Sequence, residues 1–510
     1  MNRGGRKYEA LGKNCSRTAA MEVSCAGDVD IFLYRQPTGS HWRRRYFRHT
    51  KFSLDTDSQR FDSTAFGQKS RLKFDKGPHL LHKIMLCMQV PAIYAEATDI
   101  PQSRHRNKIQ SPYPAYRNES GSTTPPCQQW DRQAFAKSAQ TYENMDPNDP
   151  RAVDVGRDSW ARRNYGCAFV PSDDSATGCC GADTLQELLD SGVPFAHWTN
   201  ALAMAAVRRV TFGSGKFPID SFSGLGMFVW DEFTGKPGKE LREMVGKFDT
   251  PEALIRAAKF DQTLLLPIPY TCTVSAGNAF ALNAVDDDVW LEVEWESLPN
   301  LIITSDKNVR VCRGDNGETL RDTDLNAWVD TVTAFLDRPE RNAFARGNFD
   351  QLIVQHHEEI QPATIDHVKI PVTVKNPIIE AFVAVRRKSQ EAQNNWFNFS
   401  GIKGMEPVRS IQLTVDDKPR MAGRPAEWWR VAWPYFTHTR MPTRHLYNPG
   451  WSLNPEDMQP SGSFNPKCGN VVLHILLQEG LAEADGVNVY VMYRTHTTLR
   501  YRDGAAYVLY

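Results

Sequence analysis

The stretch Val289-Trp290-Leu291-Glu292-Val293-Glu294-Trp295 alternates apolar and acidic residues with a period of two. Successive side chains of a β-strand point to opposite faces. Val289, Leu291, Val293 and Trp295 therefore line one face and Glu292 and Glu294 the other. Asp286-Asp287-Asp288 before the run is turn material. The same texture recurs on both sides. Upstream lie Arg71-Leu72-Lys73-Phe74, Leu80 to Met88, Val207 to Phe212 and Thr263 to Ile268, with Asp75-Lys76-Gly77-Pro78 and Gly213-Ser214-Gly215 as turns. Downstream lie Leu325 to Leu336, Val368 to Val374, Ile378 to Val385, Ser410 to Val415, Asn470 to Leu477 and Val487 to Tyr493, with Asp416-Asp417 as a turn. An extended stretch also begins at Val29 to Leu33 and resumes at Tyr46-Phe47 and Phe52-Ser53-Leu54.

Helical patterns are few. Thr184 to Leu189 reads as a short helix, and Arg338-Pro339-Glu340-Arg341 opens another. Residues 239–259 read as one or two helices, with Thr250 as N-cap and Pro251 in the first turn. Many short strands with turn signals between them predict β-sandwiches or jelly rolls rather than an α/β fold. The two halves share this texture without an evident sequence repeat.

At about 150 residues per domain, 510 residues give a prior of about three domains. Sixty Lys plus Arg balance sixty Asp plus Glu. Such neutrality argues against a protein that lives on a phosphate backbone and tolerates self-association. No apolar run approaches the length of a membrane-spanning helix. Residues 1–27 are polar and basic, lack the apolar core of a signal peptide, and read as a loose arm. Asn2 stands where N-myristoylation needs glycine. The ten cysteines are scattered without a CxxC pair, which predicts reduced thiols. The vicinal pair Cys179-Cys180 reads as a loop coincidence. Without a secretory route, the sequons at Asn14, Asn118 and Asn398 stay unmodified. Residues 97–183 carry eight prolines and few periodic apolar runs, and read as an insertion outside the core.

Catalytic signals are poor. Gly213-Ser214-Gly215-Lys216 resembles the tail of a phosphate loop, but Val210 stands where the first glycine belongs and Phe217 replaces the Ser/Thr. Gly235-Lys236-Pro237-Gly238-Lys239 fails the same test. His356-His357-Glu358-Glu359 with His367 has no zinc-type spacing and reads as exposed strand or loop polarity. No catalytic, cofactor-binding or metal-ligating residue is assigned, and no enzymatic activity is expected. His41-Trp42-Arg43-Arg44-Arg45-Tyr46-Phe47-Arg48-His49 interleaves arginine with aromatics. It reads as an alternating interface strand whose arginines pair with acidic neighbours. Arg313-Gly314-Asp315 is an isolated tripeptide of receptor-binding type.

In order along the chain, several segments resemble the major capsid proteins of nucleocytoplasmic large DNA viruses, the double jelly-roll group. They are Asp28 to Leu33, Tyr46 to Phe52, Lys76 to Leu81, Trp230 to Lys239, Leu266 to Pro269 and Gly277 to Leu282. The second half adds Ala327 to Asp330, Phe335 to Arg341, Asn376 to Arg387, Asn395 to Gly401 and Gln459 to Leu473. The resemblance spans roughly 28–95 and 195–510. It implies an all-β fold of two tandem eight-stranded antiparallel jelly rolls with short helices in the loops. The implied layout is an arm at 1–27, a first roll at 28–300 containing the 97–183 insertion, and a second roll at 301–510.

The implied role is structural. Homotrimeric, pseudo-hexagonal capsomers would tile an icosahedral shell in the virion, beside neighbouring capsomers, penton and minor capsid proteins, near an internal viral membrane. Assembly would take place in the host cytoplasm, with no cofactor and no sequence-specific nucleic-acid contact. The alternative is a carbohydrate- or receptor-binding jelly roll, for which Trp428-Trp429 would supply an aromatic platform.

Overall fold

A computed structural model describes residues 34–97 except 35, 41 and 45, the two-residue strands at 116–117 and 123–124, and residues 195–509 except 237, 249–250, 305–308 and 314–317. The expected strand at 29–33, most of the 97–183 insertion and the helix at 184–189 lie outside the described residues. The chain divides into two compact units, Met1–Lys51 and Phe52–Tyr510, and every element described below belongs to the second.

The strands that build the sandwiches are numbered in chain order. The first eight are β1 Phe52–Arg60, β2 Lys69–Lys73, β3 Leu80–Val90, β4 Val207–Ser214, β5 Phe217–Phe222, β6 Gln262–Pro267, β7 Val289–Trp295 and β8 Asn326–Leu336. They form two sheets, in the orders β1-β8-β3-β6 and β2-β7-β4-β5. The next eight are β9 Phe349–Ala363, β10 His367–Pro371, β11 Ile378–Arg387, β12 Val408–Val415, β13 Lys418–Pro425, β14 Leu446–Tyr447, β15 Val471–Leu477 and β16 Val487–Arg502. Their sheets run β9-β16-β11-β14 and β10-β15-β12-β13, repeating the first order strand for strand. Two further strands join at the sides: Phe280–Ala281 on β3, and β17 Ala505–Leu509 on β16.

The pairing corrects two expectations. β8 pairs antiparallel with β1 and β3, so the first sandwich reaches Leu336, past the boundary expected between residues 300 and 301. Sequence texture cannot locate that limit, because β8 returns to the sheet of β3 over a separation that only long-range pairing reveals. Tyr46 and Phe47 are not in a strand; the chain enters the sheet at Phe52.

Local chemistry explains the elements. In β7, Val289, Leu291, Val293 and Trp295 are buried, as the alternation requires, while Glu292 and Glu294 are half-buried. Trp290, on the outer face, is also covered, by the Arg71 guanidinium 4.1 Å above its ring. The β12–β13 turn places Asp416 and Asp417 at φ 47° and 62°, the left-handed region that aspartate tolerates and that matches hairpin twist. Short helices punctuate the loops, among them α1 Gly224–Thr234, α2 Pro251–Ala257 and α3 Arg338–Ala345. Ser223 caps α1 by accepting from Gly226 N, and Asp337 caps α3 by accepting from Arg338 N.

Two cores result. The first contains Phe212, Phe222, Tyr270 and Phe280, with the Phe212 and Phe280 rings edge-to-face at 5.2 Å. It also takes in Phe382, Phe397, Tyr490 and Met492 from beyond β8, so the two sandwiches share hydrophobic matter. The second core is built on Val383, Ile411, Leu473 and Val491.

Candidate functional site: the joint and the outer surfaces

Two kinds of surface stand out, the joint between the sandwiches and the faces left open to a partner. At the joint, β9 runs beside β5. His356 Nδ1 lies 2.8 Å from Asp220 Oδ2, and the His356 backbone N–H donates to Asp220 Oδ1 at 3.0 Å. Gln355 Nε2 donates to the Ile219 carbonyl at 2.7 Å. Thr271 Oγ1 donates to the Val354 carbonyl at 2.8 Å and accepts from Val354 N at 2.9 Å. The Glu358 carboxylate accepts from both Ser223 N and Ser223 Oγ, each at 3.0 Å. Burial pushes this carboxyl above the ordinary carboxylate range, while the bonds from Ser223 work the other way.

The histidine–glutamate run is therefore not exposed polarity. His356 is buried and packs against Phe222, with ring centroids 3.8 Å apart and the rings tilted by 47°. His357 points to the other face, as strand geometry demands, and burial lowers its pKa. His367 is not brought to them. It sits on β10 beside His474, a residue that the sequence reading did not single out.

A second tie joins α1 to the loop after β13. Glu232 is fully buried and accepts from Lys247 Nζ at 2.5 Å, Thr443 N at 3.0 Å and Thr443 Oγ1 at 2.8 Å. Phe228 on α1 stacks on Phe397, with centroids 4.2 Å apart. Gly224 is required here, because a Cβ at that position would lie 1.7 Å from the Met204 carbonyl oxygen. These bonds are internal, and nearly all their donors and acceptors are consumed in joining the two sandwiches. Among the described residues no three His, Cys, Asp or Glu side chains converge as a metal centre would.

The phosphate-loop fragment is also structural. Gly215, at φ 56°, turns β4 into β5, and a Cβ on Gly213 would lie 2.4 Å from the Trp290 ring. Arg313 of the tripeptide pairs with Asp324 at 2.7 Å, while Gly314 and Asp315 lie outside the described residues. Among the described cysteines, Cys87, Cys272 and Cys468 are free thiols.

The open faces are apolar or lie at sheet edges. Among the described residues β1 pairs only with β8, and it is exposed along almost its whole length, including Leu54. β13 is another edge strand among the described residues and carries Lys418, Pro419, Arg420, Arg424 and Pro425, residues that discourage indiscriminate strand addition. Beyond β13 the chain makes a π-helical turn at Trp428–Ala432 and an α-helical turn at Trp433–Thr437. Trp429 is buried against Trp433, and Trp428 is half-buried under Arg424, so the tandem tryptophans form no open platform. One turn later Tyr435 and Phe436 are each 69% exposed, edge-to-face with centroids 5.4 Å apart. Sequence reasoning missed them because helical phase, not composition, decides which aromatics of Trp428 to Phe436 face out.

The basic aromatic run 41–49 is open as well. Trp42 and Phe47 are 98% and 96% exposed. The described part forms an isolated bridge, Ser40 to Arg43, rather than an interface strand, and no acidic side chain is found paired with Arg43, Arg44 or Arg48 among the described residues.

Comparison with known proteins agrees with this architecture. Residues 340–506 match the family model described as large eukaryotic DNA virus major capsid protein. The major capsid protein of Phaeocystis pouchetii virus is 21% identical over 513 residues, covering 92% of this chain and 94% of that protein. Among solved structures, the Faustovirus major capsid protein superposes with a TM-score of 0.62 at 10% identity, over 97% of this chain and 98% of that one. PBCV-1 VP54, in a crystal structure fitted into a reconstruction of the virophage Sputnik, superposes with a TM-score of 0.61 at 13% identity, over 92% of this chain and 100% of that one. The resemblance read from the sequence thus extends to the fold.

Proposed function

From the premise that this chain is a relative of the large eukaryotic DNA virus major capsid proteins, we propose that it is the structural subunit of a capsid, acting by assembly rather than catalysis. The observation that carries this reading is the repetition of one strand order in two sandwiches fused by a shared core. Three copies around a threefold axis present six similar sandwich units, so a homotrimer has a pseudo-hexagonal outline able to tile an icosahedral shell. The exposed Tyr435–Phe436 pair and the open strand β1 are surfaces a neighbouring copy would cover. Zero net charge suits a subunit packed against many copies of itself.

The first jelly roll in this reading runs from the start of β1 to the end of β8, and the second from β9 to the C-terminus. The arm 1–27 and the insertion 97–183 are contacts to neighbouring capsomers, penton or minor capsid proteins. The shell encloses an internal membrane and assembles in the host cytoplasm.

Negative-stain microscopy of the purified full chain tests the reading. Particles of hexagonal outline, with a mass of three chains by light scattering, are the expected result. A strictly monomeric chain at high concentration would refute it.

A further inference from the structure

We propose that His367 and His474 form a binding site for a divalent transition metal ion of the zinc class, on the outer face of the second sandwich. The two residues lie on neighbouring antiparallel strands, β10 and β15, where His367 faces Leu476 and Lys369 faces His474 in register. Both side chains stand away from the core, since the flanking Val368, Ile370, Leu473 and Ile475 are buried. His367 Nε2 and His474 Nδ1 are 3.3 Å apart. That is longer than the common donor–acceptor separation of about 2.9–3.0 Å. It equals the edge of a tetrahedral zinc centre, where two bonds of about 2.05 Å place their nitrogens about 3.3–3.4 Å apart.

The surroundings select the protonation that a ligand needs. His474 Nε2 is 3.0 Å from Thr414 Oγ1, and the Thr414 hydroxyl donates toward the Val472 carbonyl at 3.5 Å. The threonine oxygen therefore accepts from His474 Nε2–H, which leaves a lone pair on Nδ1, directed at His367. A bond of this kind, on the nitrogen away from the metal, is what fixes tautomer and ring orientation in metal-binding histidines. His367 is the more exposed ring. Moving its proton from Nε2 to Nδ1 through solvent supplies the second lone pair. Paired strands hold both Cα atoms, so little ordering remains to oppose binding. Two protein nitrogens leave the other positions of the tetrahedron to water or to a group from another molecule.

Sequence spacing could not show the pair, because its members lie 107 residues apart and meet only through strand register. The site is separate from His356 and His357, which the joint consumes.

Equilibrium dialysis of the full chain against zinc ions, with magnesium in large excess, tests the proposal. One zinc ion retained per chain is expected. His367→Ala and His474→Ala should each weaken retention at least about tenfold, and Thr414→Val, which removes the orienting oxygen, about tenfold. His445→Ala, whose ring pairs with Glu406 elsewhere, should retain zinc as the unaltered chain does. Circular dichroism confirms that each variant is folded. Absence of retained zinc, or retention unchanged in both histidine variants, would overturn the site.

Discussion

His438 Nε2 lies 2.9 Å from Glu380 Oε2, with both side chains withdrawn from solvent. Asn448 Nδ2 donates to the same oxygen at 2.9 Å, and Arg494 pairs with the other carboxylate oxygen. The Arg494 guanidinium in turn lies 3.9 Å from the centre of the Trp230 ring, on α1. A charged cluster in the second sandwich is thus roofed by an aromatic from the first, and it anchors the loop from His438 to Glu456.

This cluster sets a pH window for stability. Burial disfavours the His438 imidazolium, but Glu380 and Glu456 outweigh it and raise the pKa to about 9. Burial likewise opposes the Glu380 carboxylate, but His438, Arg494 and Asn448 override it and hold the pKa at about 2. A raised folded-state pKa contributes stability that is full below the unfolded value of about 6.5 and fades as pH rises toward 9. A lowered one contributes above about 4.5 and fades as pH falls toward 2. Urea melts should therefore show this cluster at full strength between about pH 4.5 and 6.5. His438→Gln should lower stability there and flatten the alkaline decline; an unchanged alkaline slope would contradict the assignment.

Removing one partner of the buried joint should be costly. The Asp220–His356 pair is almost wholly screened from water, so Asp220→Ala strands the imidazole and its backbone N–H. The expected loss is about 3–5 kcal/mol in chemical denaturation. A double-mutant cycle with His356→Ala should give a coupling of at least about 1 kcal/mol; additive losses would mean that the two residues act separately.

The exposed aromatic pair should matter to assembly and not to folding. Tyr435→Ser with Phe436→Ser removes little buried area, so the thermal midpoint of the isolated chain should stay within an equivalent of about 0.5 kcal/mol. Light scattering should show fewer oligomers, in keeping with the enrichment of aromatic anchors at interfaces. Unaltered oligomers would move the contact elsewhere.

Thiol labelling of the native chain should discriminate by burial. Cys468 is exposed and should be alkylated readily. Cys87 and Cys272 are buried, and burial above all pushes each thiol up to about 12, so neither supplies reactive thiolate at neutral pH. Mass spectrometry after native alkylation reads this directly, and labelling of Cys272 at the rate of Cys468 would show that the core opens.

The sequence determined the class of fold, because strand periodicity is local. Val289 to Trp295 needs only its own alternation to be read, Asn470 to Leu477 only its short apolar run, and Asp416-Asp417 only its turn chemistry. The motif resemblance went further, to two jelly rolls. What it could not supply were relations set by register and packing across long separations. The return of β8 to β3 placed the limit of the first sandwich at Leu336 rather than near residue 300. The approach of β9 to β5 buried His356 on Asp220, and the register of β10 with β15 set His367 beside His474. Helical phase buried Trp429 and exposed Tyr435 and Phe436. Each of these depends on which distant chain segment desolvates or pairs with a side chain, and no local pattern of residue types carries that information.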